Sequence, residues 1–272
     1  MTWLDALILG IVQGLAEYLP ISSSGHLEIM REILGLDLAG SDALEFDVAL
    51  HVATVLSTIV VLWREFLPLC TSFFTFRRDK NFYYVCKILV SCIPVAIVGL
   101  CFKDFVEQFF GGGLLTVGIC LCITAALLSF TYFFRNPARE SVTRYTGHDI
   151  SWRDAFIIGC AQAVAVLPGL SRSGSTIATG LLLGDKRDKI AQFSFFMVII
   201  PILGEALLDV KDMIGGEGAS EAIGLLPMAV GFLASFIVGC IACRWMLNIV
   251  KKGKLVWFAV YCLIVGVLCI CW

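Results

Sequence analysis

Three long stretches without a charged residue constrain the fold of this chain more than any other feature of the sequence. They run from Leu114 to Phe134, from Ile223 to Cys243 and from Leu255 to Trp272. A helix of about 20 apolar residues is long enough to cross the hydrocarbon core of a bilayer, so each stretch predicts a transmembrane helix. With only 15% charged residues and a net charge of -2, the chain has too few charges to cover a soluble domain and no basic surface for nucleic acid.

Three further stretches are predicted as spans although they are shorter or carry polar residues. These are Leu44 to Trp63, Ile88 to Phe102 and Ile190 to Leu208. Their notable polar residues are Asp47, His51 and Glu205. Each of these polar side chains either lines a cavity or reaches the membrane surface, and the sequence leaves that choice open. No long polar linker separates two folding units, so residues 1–272 are interpreted as one integral-membrane domain.

The chain also contains an internal repeat. Trp3–Gly25 aligns without gaps on Trp152–Gly174 at a constant offset of 149, with ten of 23 positions identical. Chance similarity would give roughly one or two identities in such a window. Each copy begins with the pattern of a capping box, in which a hydroxyl and a carboxylate satisfy the free amides at a helix start. The two patterns are Thr2-x-x-Asp5 and Ser151-x-x-Asp154.

Each copy continues into a proline, Pro20 or Pro168, and then a loop rich in serine and glycine. Such a segment leaves backbone groups unpaired, which a bilayer tolerates only where the segment is buried in protein or lines a wet cavity. Each copy is therefore predicted to be a re-entrant helix-loop-helix hairpin. The repeats start near residues 2 and 151.

Basic residues favour cytoplasmic loops, which gives a test of this topology. If both hairpins turn back, most Lys and Arg residues lie on the cytoplasmic side of the membrane. Apart from the basic residue in the second loop, the exceptions are Arg31, Lys103 and Lys211. Three transmembrane spans then lie between the copies, so the second copy has the opposite orientation in the membrane. The predicted fold is an all-α polytopic membrane protein with about six transmembrane helices plus two re-entrant hairpins in an inverted repeat. In such folds the broken helices surround one polar site near the midplane.

The differences between the copies single out the candidate functional residues of the first hairpin. Glu17 is aligned with a valine, Ser23 with Arg172, and His26 with a serine. Ionisable groups within a membrane are costly and usually functional. Glu17 follows Gln13 by four residues, so the two side chains share a helix face and could bind a divalent cation. Glu17 could instead deprotonate or orient the attacking group, or it could simply reach water at a helix end.

His26 and Ser23 are both candidate nucleophiles, and His26 could alternatively act as a general acid or proton carrier. Hydroxyls in turns commonly cap helices, so Ser22 and Ser24 are interpreted as structural. The sequence does not decide between Ser23 and His26 as the nucleophile.

The loop of the second copy has the composition of a phosphate site. Arg172 can bind two phosphate oxygens at once, and free amides at the following helix start, including that of Gly174, supply further donors. The hydroxyls that could complete the shell are those of Ser171, Ser173 and Thr176. The structural alternative is that Arg172 pairs with Glu17 or Glu205 only to hold the hairpins together.

The segments QGLAEYLPISSSGH (residues 13–26) and PGLSRSGST (residues 168–176) resemble the two signatures of the BacA/UppP family of bacterial undecaprenyl-diphosphate phosphatases. The family's (E/Q)xxxE pattern is matched by Gln13 and Glu17, its serine-glycine-histidine loop by Ser22 to His26, and its PGxSRSG loop through Gly174. Glutamine at position 13 removes one carboxylate, which weakens the expectation of strong metal chelation by that pair. The resemblance covers essentially the whole chain.

The resemblance implies removal of the terminal phosphate from undecaprenyl diphosphate, which recycles the lipid carrier for peptidoglycan synthesis and is linked to bacitracin resistance. It also implies a divalent cation, Mg²⁺ or Ca²⁺, and a multi-pass protein of the cytoplasmic membrane whose site opens to the external face. The expected partners are a polyprenyl diphosphate lipid and the bilayer, and a homodimer is left open.

A different class of function stays open at this point. Inverted repeats with broken helices also build secondary transporters, so a polyprenyl-phosphate flippase or an anion transporter would equally need Arg172. The loop that carries Glu17, Ser23 and His26 favours an enzyme, because binding alone does not need a potential nucleophile beside a base.

Overall fold

The computed structural model describes residues 1–36, 41–102, 113–134, 147–214 and 223–272. Within these ranges the regular structure is helical, apart from an isolated bridge between His148 and Asp185. The predicted all-α class is confirmed. The helices are α1 (Trp3–Ala16), α2 (Ser23–Leu34), α3 (Ser41–Val61), α4 (Trp63–Phe74), α5 (Lys80–Cys101), α6 (Gly113–Phe134), α7 (Trp152–Val164), α8 (Arg172–Leu183), α9 (Arg187–Met197), α10 (Ile199–Ile214), α11 (Leu225–Lys251) and α12 (Val256–Cys271).

Four helical segments of the described chain are long and apolar enough to cross a membrane: α5, α6, α11 and the segment Arg187–Leu208, which comprises α9 and most of α10. A fifth is counted if α3 and α4 form one span, although they are bent by 92°. The stretch predicted from Leu255 to Trp272 is helical as expected, but α12 has 16 residues and is shorter than a full span. The polytopic class is confirmed, and within the described residues four or five full-length spans stand against the about six predicted.

The break between α9 and α10 has a local cause. Pro201 has no amide hydrogen, so the carbonyl of Met197 four residues earlier loses its helical partner. The thiol of Cys92 donates to that carbonyl instead, at 3.5 Å. The carbonyl of Met197 therefore keeps a hydrogen-bond partner where the helix is interrupted.

Both predicted capping boxes are present. Thr2 Oγ1 accepts from the Asp5 amide at 3.2 Å, and Ser151 Oγ accepts from the Asp154 amide at 3.1 Å. The carboxylates return the bond to the cap amides, so α1 and α7 both begin with satisfied donors. Helices α1 and α2 then pack on each other across a turn, as do α7 and α8.

The first helix of each repeat copy packs on a long helix from the other half of the chain. Helix α1 packs on α11, and its repeat partner α7 packs on α5, which precedes α11 by about the repeat offset of 149 residues. Helices α6 and α12 pack on each other. Each hairpin thus uses a long helix of the other half as its support. The inverted orientation in the membrane stays a prediction; Lys103 and the side chain of Lys211, on which it depends, lie outside the described parts of the chain.

Glycines allow the closest of these helix contacts. A Cβ placed on Gly10 of α1 would lie 2.3 Å from the carbonyl oxygen of Gly231 on α11. A Cβ on Gly159 of α7 would lie 2.3 Å from the carbonyl oxygen of Ser91 on α5. Close backbone approach at small residues is the usual basis of helix packing in membranes. These close contacts also fix the positions of the turns that follow α1 and α7.

Replacing Gly10 with alanine is expected to destabilise the protein by about 1–3 kcal/mol, because backbone atoms of α11 must move to admit the methyl group. Gly204→Ala is the matched control, since nothing lies within 4 Å of a Cβ at that helical position. Thermal unfolding of the purified variants in detergent measures the difference. Equal melting temperatures for the two variants would contradict the close α1–α11 contact.

Candidate active site

The turns of the two hairpins touch each other. Ser173 Oγ at the start of α8 donates to the carbonyl of Leu19 in the first turn, at 3.0 Å. A Cβ on Gly25 would lie 3.1 Å from the Cα of Gly169 in the second turn, so glycine is needed where the two backbones meet. The structure therefore brings together the two loops that the repeat singled out.

Glu17 is the centre of the polar cluster between the turns. Its Oε2 accepts from Ser23 Oγ at 2.8 Å and from Gln13 Nε2 at 3.0 Å. Its Oε1 lies 3.4 Å from Nη2 of Arg172. The Glu17 side chain is only 7% exposed, against 27% for that of Arg172. A buried carboxylate is stable only when its charge is paired and its oxygens are hydrogen-bonded, and these partners meet both conditions.

Local backbone structure places these groups. The hydrogen-bond ladder of α1 ends near Glu17, because Pro20 has no amide hydrogen to continue it. Helix α2 then starts at Ser23, with Ser22 as its cap. Ser22 has a φ of 72°, which is unusual for a residue other than glycine and is typically kept where function requires it. This tight turn points the Ser23 hydroxyl back at the Glu17 carboxylate.

A small cavity adjoins the cluster. Glu17 and Arg172 lie in its wall, and the hydroxyls of Thr54, Thr58 and Ser194 add further polar groups. The remainder of the wall is largely apolar and includes the break between α9 and α10. These apolar residues are Val55, Phe195, Val198 and Ile202. The wall of the cavity thus combines charged, hydroxyl and apolar side chains.

His51 of α3, whose role the sequence left open, joins the cluster. Its Nε2 lies 3.5 Å from Oε2 of Glu17, and its Nδ1 is 2.7 Å from the backbone oxygen of Asp47. Asp47 pairs through its carboxylate with Arg31 of α2. Glu205, the third undecided residue, is exposed on α10. His51 therefore lies at the site, Asp47 forms a supporting ion pair, and Glu205 lies on the surface.

His26 lies on α2 one turn beyond Ser22, and its imidazole makes two hydrogen bonds outside the Glu17 cluster. Nδ1 is 2.8 Å from the carbonyl oxygen of Ser22, and Nε2 is 2.8 Å from the hydroxyl of Tyr261. Glu17, Ser23 and Arg172 are thus in direct contact, whereas His26 borders them through the backbone of the same turn.

The hydroxyls of the second loop shape the loop itself. Ser171 Oγ accepts from the amide of Gly174 at 3.0 Å and so caps α8. Thr176 Oγ1 donates to the carbonyl of Arg172 at 2.9 Å and lies 2.6 Å from Ser194 Oγ. These bonds hold the start of α8, and with it Arg172, in place. Contacts of Ser171, Ser173, Gly174 and Thr176 with a phosphate stay a prediction.

Several groups at the site were missed by the sequence analysis. Tyr18 donates to the carbonyl of Thr54 at 2.6 Å and contacts the hydroxyls of Ser57 and Thr58. The run of hydroxyl residues in the predicted span from Leu44 to Trp63 was a signal that could have pointed to this face of α3. Tyr261 had no such signal, because it stands in an otherwise apolar stretch 235 residues after His26.

Comparison with known proteins identifies the family. The family described as bacitracin resistance protein BacA matches residues 6–268, which is nearly the whole chain. The chain belongs to the BacA family. It is 57% identical over 270 residues to an undecaprenyl-diphosphatase of Parabacteroides distasonis, covering 99% of this chain and 98% of the relative. A Bacteroides fragilis undecaprenyl-diphosphatase is similar to the same degree, with the same coverage.

More distant BacA relatives match at full length as well. An undecaprenyl-diphosphatase of Oceanobacillus iheyensis is 37% identical over 268 residues, covering 96% of this chain and 93% of the relative. The resemblance inferred from the two short signatures is therefore confirmed across the whole chain. In this BacA chain the residues of both signatures, Gln13 with Glu17 and the loop that carries Arg172, meet at one buried cluster.

Proposed function

We propose that this chain hydrolyses undecaprenyl diphosphate to undecaprenyl phosphate and inorganic phosphate. The observation that carries the proposal is the contact of the Ser23 hydroxyl with the Glu17 carboxylate at 2.8 Å, with Arg172 3.4 Å from the same carboxylate. A hydroxyl beside a base and a guanidinium is the arrangement that a phosphoryl transfer needs. The curated relatives named undecaprenyl-diphosphatases support the substrate. The protein would act in the bacterial cytoplasmic membrane, with its site open to the external face.

The diphosphate would bind where Arg172 lies in the wall of the cavity. The guanidinium of Arg172 is 27% exposed and can bind two phosphate oxygens, and α8 begins at this residue with its amides directed toward the turn. The isoprenoid tail would lie along the apolar wall near Val198 and Ile202, where the helix break separates α9 from α10.

The first chemical step would be attack by Ser23. As the bond between Ser23 Oγ and the terminal phosphorus forms, the hydroxyl proton passes to Glu17 and the bond from that phosphorus to the bridging oxygen breaks. Undecaprenyl phosphate leaves with the bridging oxygen. Arg172 offsets the negative charge on the transferred group, which is the main requirement of a loose phosphoryl transition state. Ser23 is favoured over His26 as the nucleophile because Glu17 contacts Ser23 directly.

The second step would release the phosphate from Ser23. Water attacks the phosphorus, its proton goes to His26, and Glu17 returns the stored proton to Ser23 Oγ as the bond from phosphorus to Oγ breaks. Inorganic phosphate leaves, and His26 gives its proton to solvent. His26 thus serves as the proton carrier, a common role of an imidazole.

The residues present fit a divalent cation. Oε1 of Gln13 is fully buried and has no hydrogen-bond partner among the described residues, and it belongs to the same amide that contacts Glu17. Mg²⁺ and Ca²⁺ prefer such carbonyl and carboxylate oxygens. We propose that Gln13 and Glu17 would hold the cation, with diphosphate oxygens completing its coordination. When bound, the ion would neutralise part of the diphosphate charge.

The proposed activity is tested with purified protein in detergent, where no second compartment exists. Phosphate should be released from undecaprenyl diphosphate in a one-to-one ratio with undecaprenyl phosphate, and undecaprenyl phosphate itself should not react. Chelation with EDTA should reduce release by at least about tenfold, and added Mg²⁺ or Ca²⁺ should restore it. Lipid movement in vesicles without any phosphate release in detergent would favour a flippase instead. Unchanged release after chelation would remove the cation from the proposal.

A further inference from the structure

The hydrogen bond between His26 and Tyr261 joins the first hairpin to the last helix of the chain. The hydroxyl of Tyr261 lies 2.8 Å from Nε2, and the two rings are nearly parallel, at 15°, with centroids 5.6 Å apart. We propose that Tyr261 is a positioning residue for His26, which fixes the orientation of the imidazole and the nitrogen that exchanges its proton. The inference rests on the proposed function, in which His26 carries a proton.

The partners of the imidazole determine its tautomer. A carbonyl oxygen can only accept a hydrogen bond, so the Nδ1 that faces the Ser22 carbonyl at 2.8 Å carries a hydrogen. In neutral His26 the lone pair is therefore on Nε2, which accepts from Tyr261. The incoming proton reaches Nε2 through this bond: Tyr261 gives its hydroxyl proton to Nε2 while its oxygen takes the proton released by water, and the phenolic oxygen then accepts from Nε2–H, because a hydroxyl is both donor and acceptor. Tyr261 thus stays bonded in both charge states, and Nε2 is the nitrogen that changes.

Helix packing keeps Tyr261 at this distance. The next residue, Cys262, donates its thiol to the carbonyl of Pro20 in the first turn, at 3.5 Å. Five residues after Tyr261, a Cβ on Gly266 would lie 2.8 Å from the carbonyl oxygen of Gly118, so α12 is held tightly against α6. Helix α6 contacts the hairpin in turn, because a Cβ on Gly25 would lie 3.0 Å from Val117. Helix α12 therefore has a fixed place beside His26.

This arrangement gives α12 a part in the reaction that the sequence alone does not indicate. The imidazole of a helical residue can rotate about its side-chain bonds, and rotation would remove Nε2 from the position where it receives the proton. Two hydrogen bonds at opposite edges of the ring, together with a stacked aromatic face, restrict that rotation. Loss of the hydroxyl should slow the proton-transfer step and leave substrate binding nearly unchanged.

The test combines kinetics with ¹⁵N NMR on histidine-labelled protein in detergent. The chain has three histidines, so the imidazole signals can be assigned with single His→Gln variants. We expect His26 to show the tautomer protonated on Nδ1, and we expect Tyr261→Phe to move its Nε2 signal toward that of a free lone pair. In the same variant kcat should fall about tenfold, the effect of one lost hydrogen bond, with KM within about twofold. Tyr83→Phe is the matched control, because Tyr83 is a half-exposed tyrosine whose ring packs against Phe82 and Trp152 and not against His26.

The possible results distinguish failure of the inference about Tyr261 from failure of the proposed function. An Nε2 signal that does not move in Tyr261→Phe, or a parental His26 protonated only on Nε2, would overturn the inference. A moved signal with unchanged kcat would also overturn it, since the contact would then have no part in the reaction. Absence of phosphate release from the parental protein would instead count against the proposed function, because the NMR signals report the contact independently of activity.

Discussion

The rate of phosphate release should fall by about a thousandfold or more when Arg172 is replaced with alanine, because Arg172 is the main group proposed to stabilise the phosphoryl transition state. Arg172 is the guanidinium in the wall of the cavity and lies 3.4 Å from Glu17. Its removal takes away the proposed phosphate ligand and leaves the Glu17 carboxylate buried without that cation. Both effects lower activity, and the second also lowers stability by a few kcal/mol.

Arg172→Lys separates the geometric requirement from the charge. Lysine keeps the positive charge near Glu17 but cannot form the two parallel bonds of a guanidinium, so we expect a loss of about 10- to 100-fold with little change in melting temperature. Arg244→Ala is the control, because Arg244 is exposed on α11. Initial rates of phosphate release on folded protein give the comparison. Full activity in Arg172→Ala would reject the phosphate-binding role, and the ion pair would then only hold the hairpins together.

The second large effect is expected for Glu17→Gln, with a loss in kcat of about 10²- to 10⁴-fold. The amide has nearly the same shape as the carboxylate and can still accept a bond from Ser23, but it cannot take the hydroxyl proton. KM should stay the same or decrease, because a negative charge facing the diphosphate has been removed. The kinetic signature is therefore a change in kcat with little change in KM.

Glu205→Gln is the matched control for Glu17, since it removes a carboxylate at an exposed site on α10. It should leave both kcat and KM unchanged. If Glu17→Gln kept its kcat and required only more divalent cation, Glu17 would act only as a metal ligand, and its proposed role as the base would be wrong. If Ser23→Ala retained full activity, the covalent step through Ser23 would be wrong, and direct attack by water activated at Glu17 would replace it.

Much of the candidate site was predictable, because its elements are encoded by residues close together in the chain. The capping pattern Thr2-x-x-Asp5 and Pro20 specify a helix that begins and ends where α1 does. The spacing of Gln13 and Glu17 places both side chains on one helix face, and the structure shows them bonded at 3.0 Å. The same local rules apply to the second copy, so the positions of both turns followed from the repeat.

The neighbours of these turns were not predictable in the same way. His51 reaches Glu17 from α3, and Tyr261 reaches His26 from α12, at a separation of 235 residues. The sequence analysis grouped His26 with Glu17 and Ser23, but the imidazole is bonded to Ser22 and Tyr261. Side-chain direction on a helix depends on which neighbouring helix is present to receive it, and that is a property of packing.

By itself, the sequence determined the membrane environment, the two hairpins and the residue types at their turns, because hydrophobicity, capping and proline act within a few residues of the chain. Tertiary structure alone decided that α3 and α4 bend by 92°, that each hairpin rests on a long helix of the other half, and which groups meet in the cavity. These outcomes depend on backbones that approach closely at glycines such as Gly10 and Gly266, and such contacts join residues that are far apart in the chain.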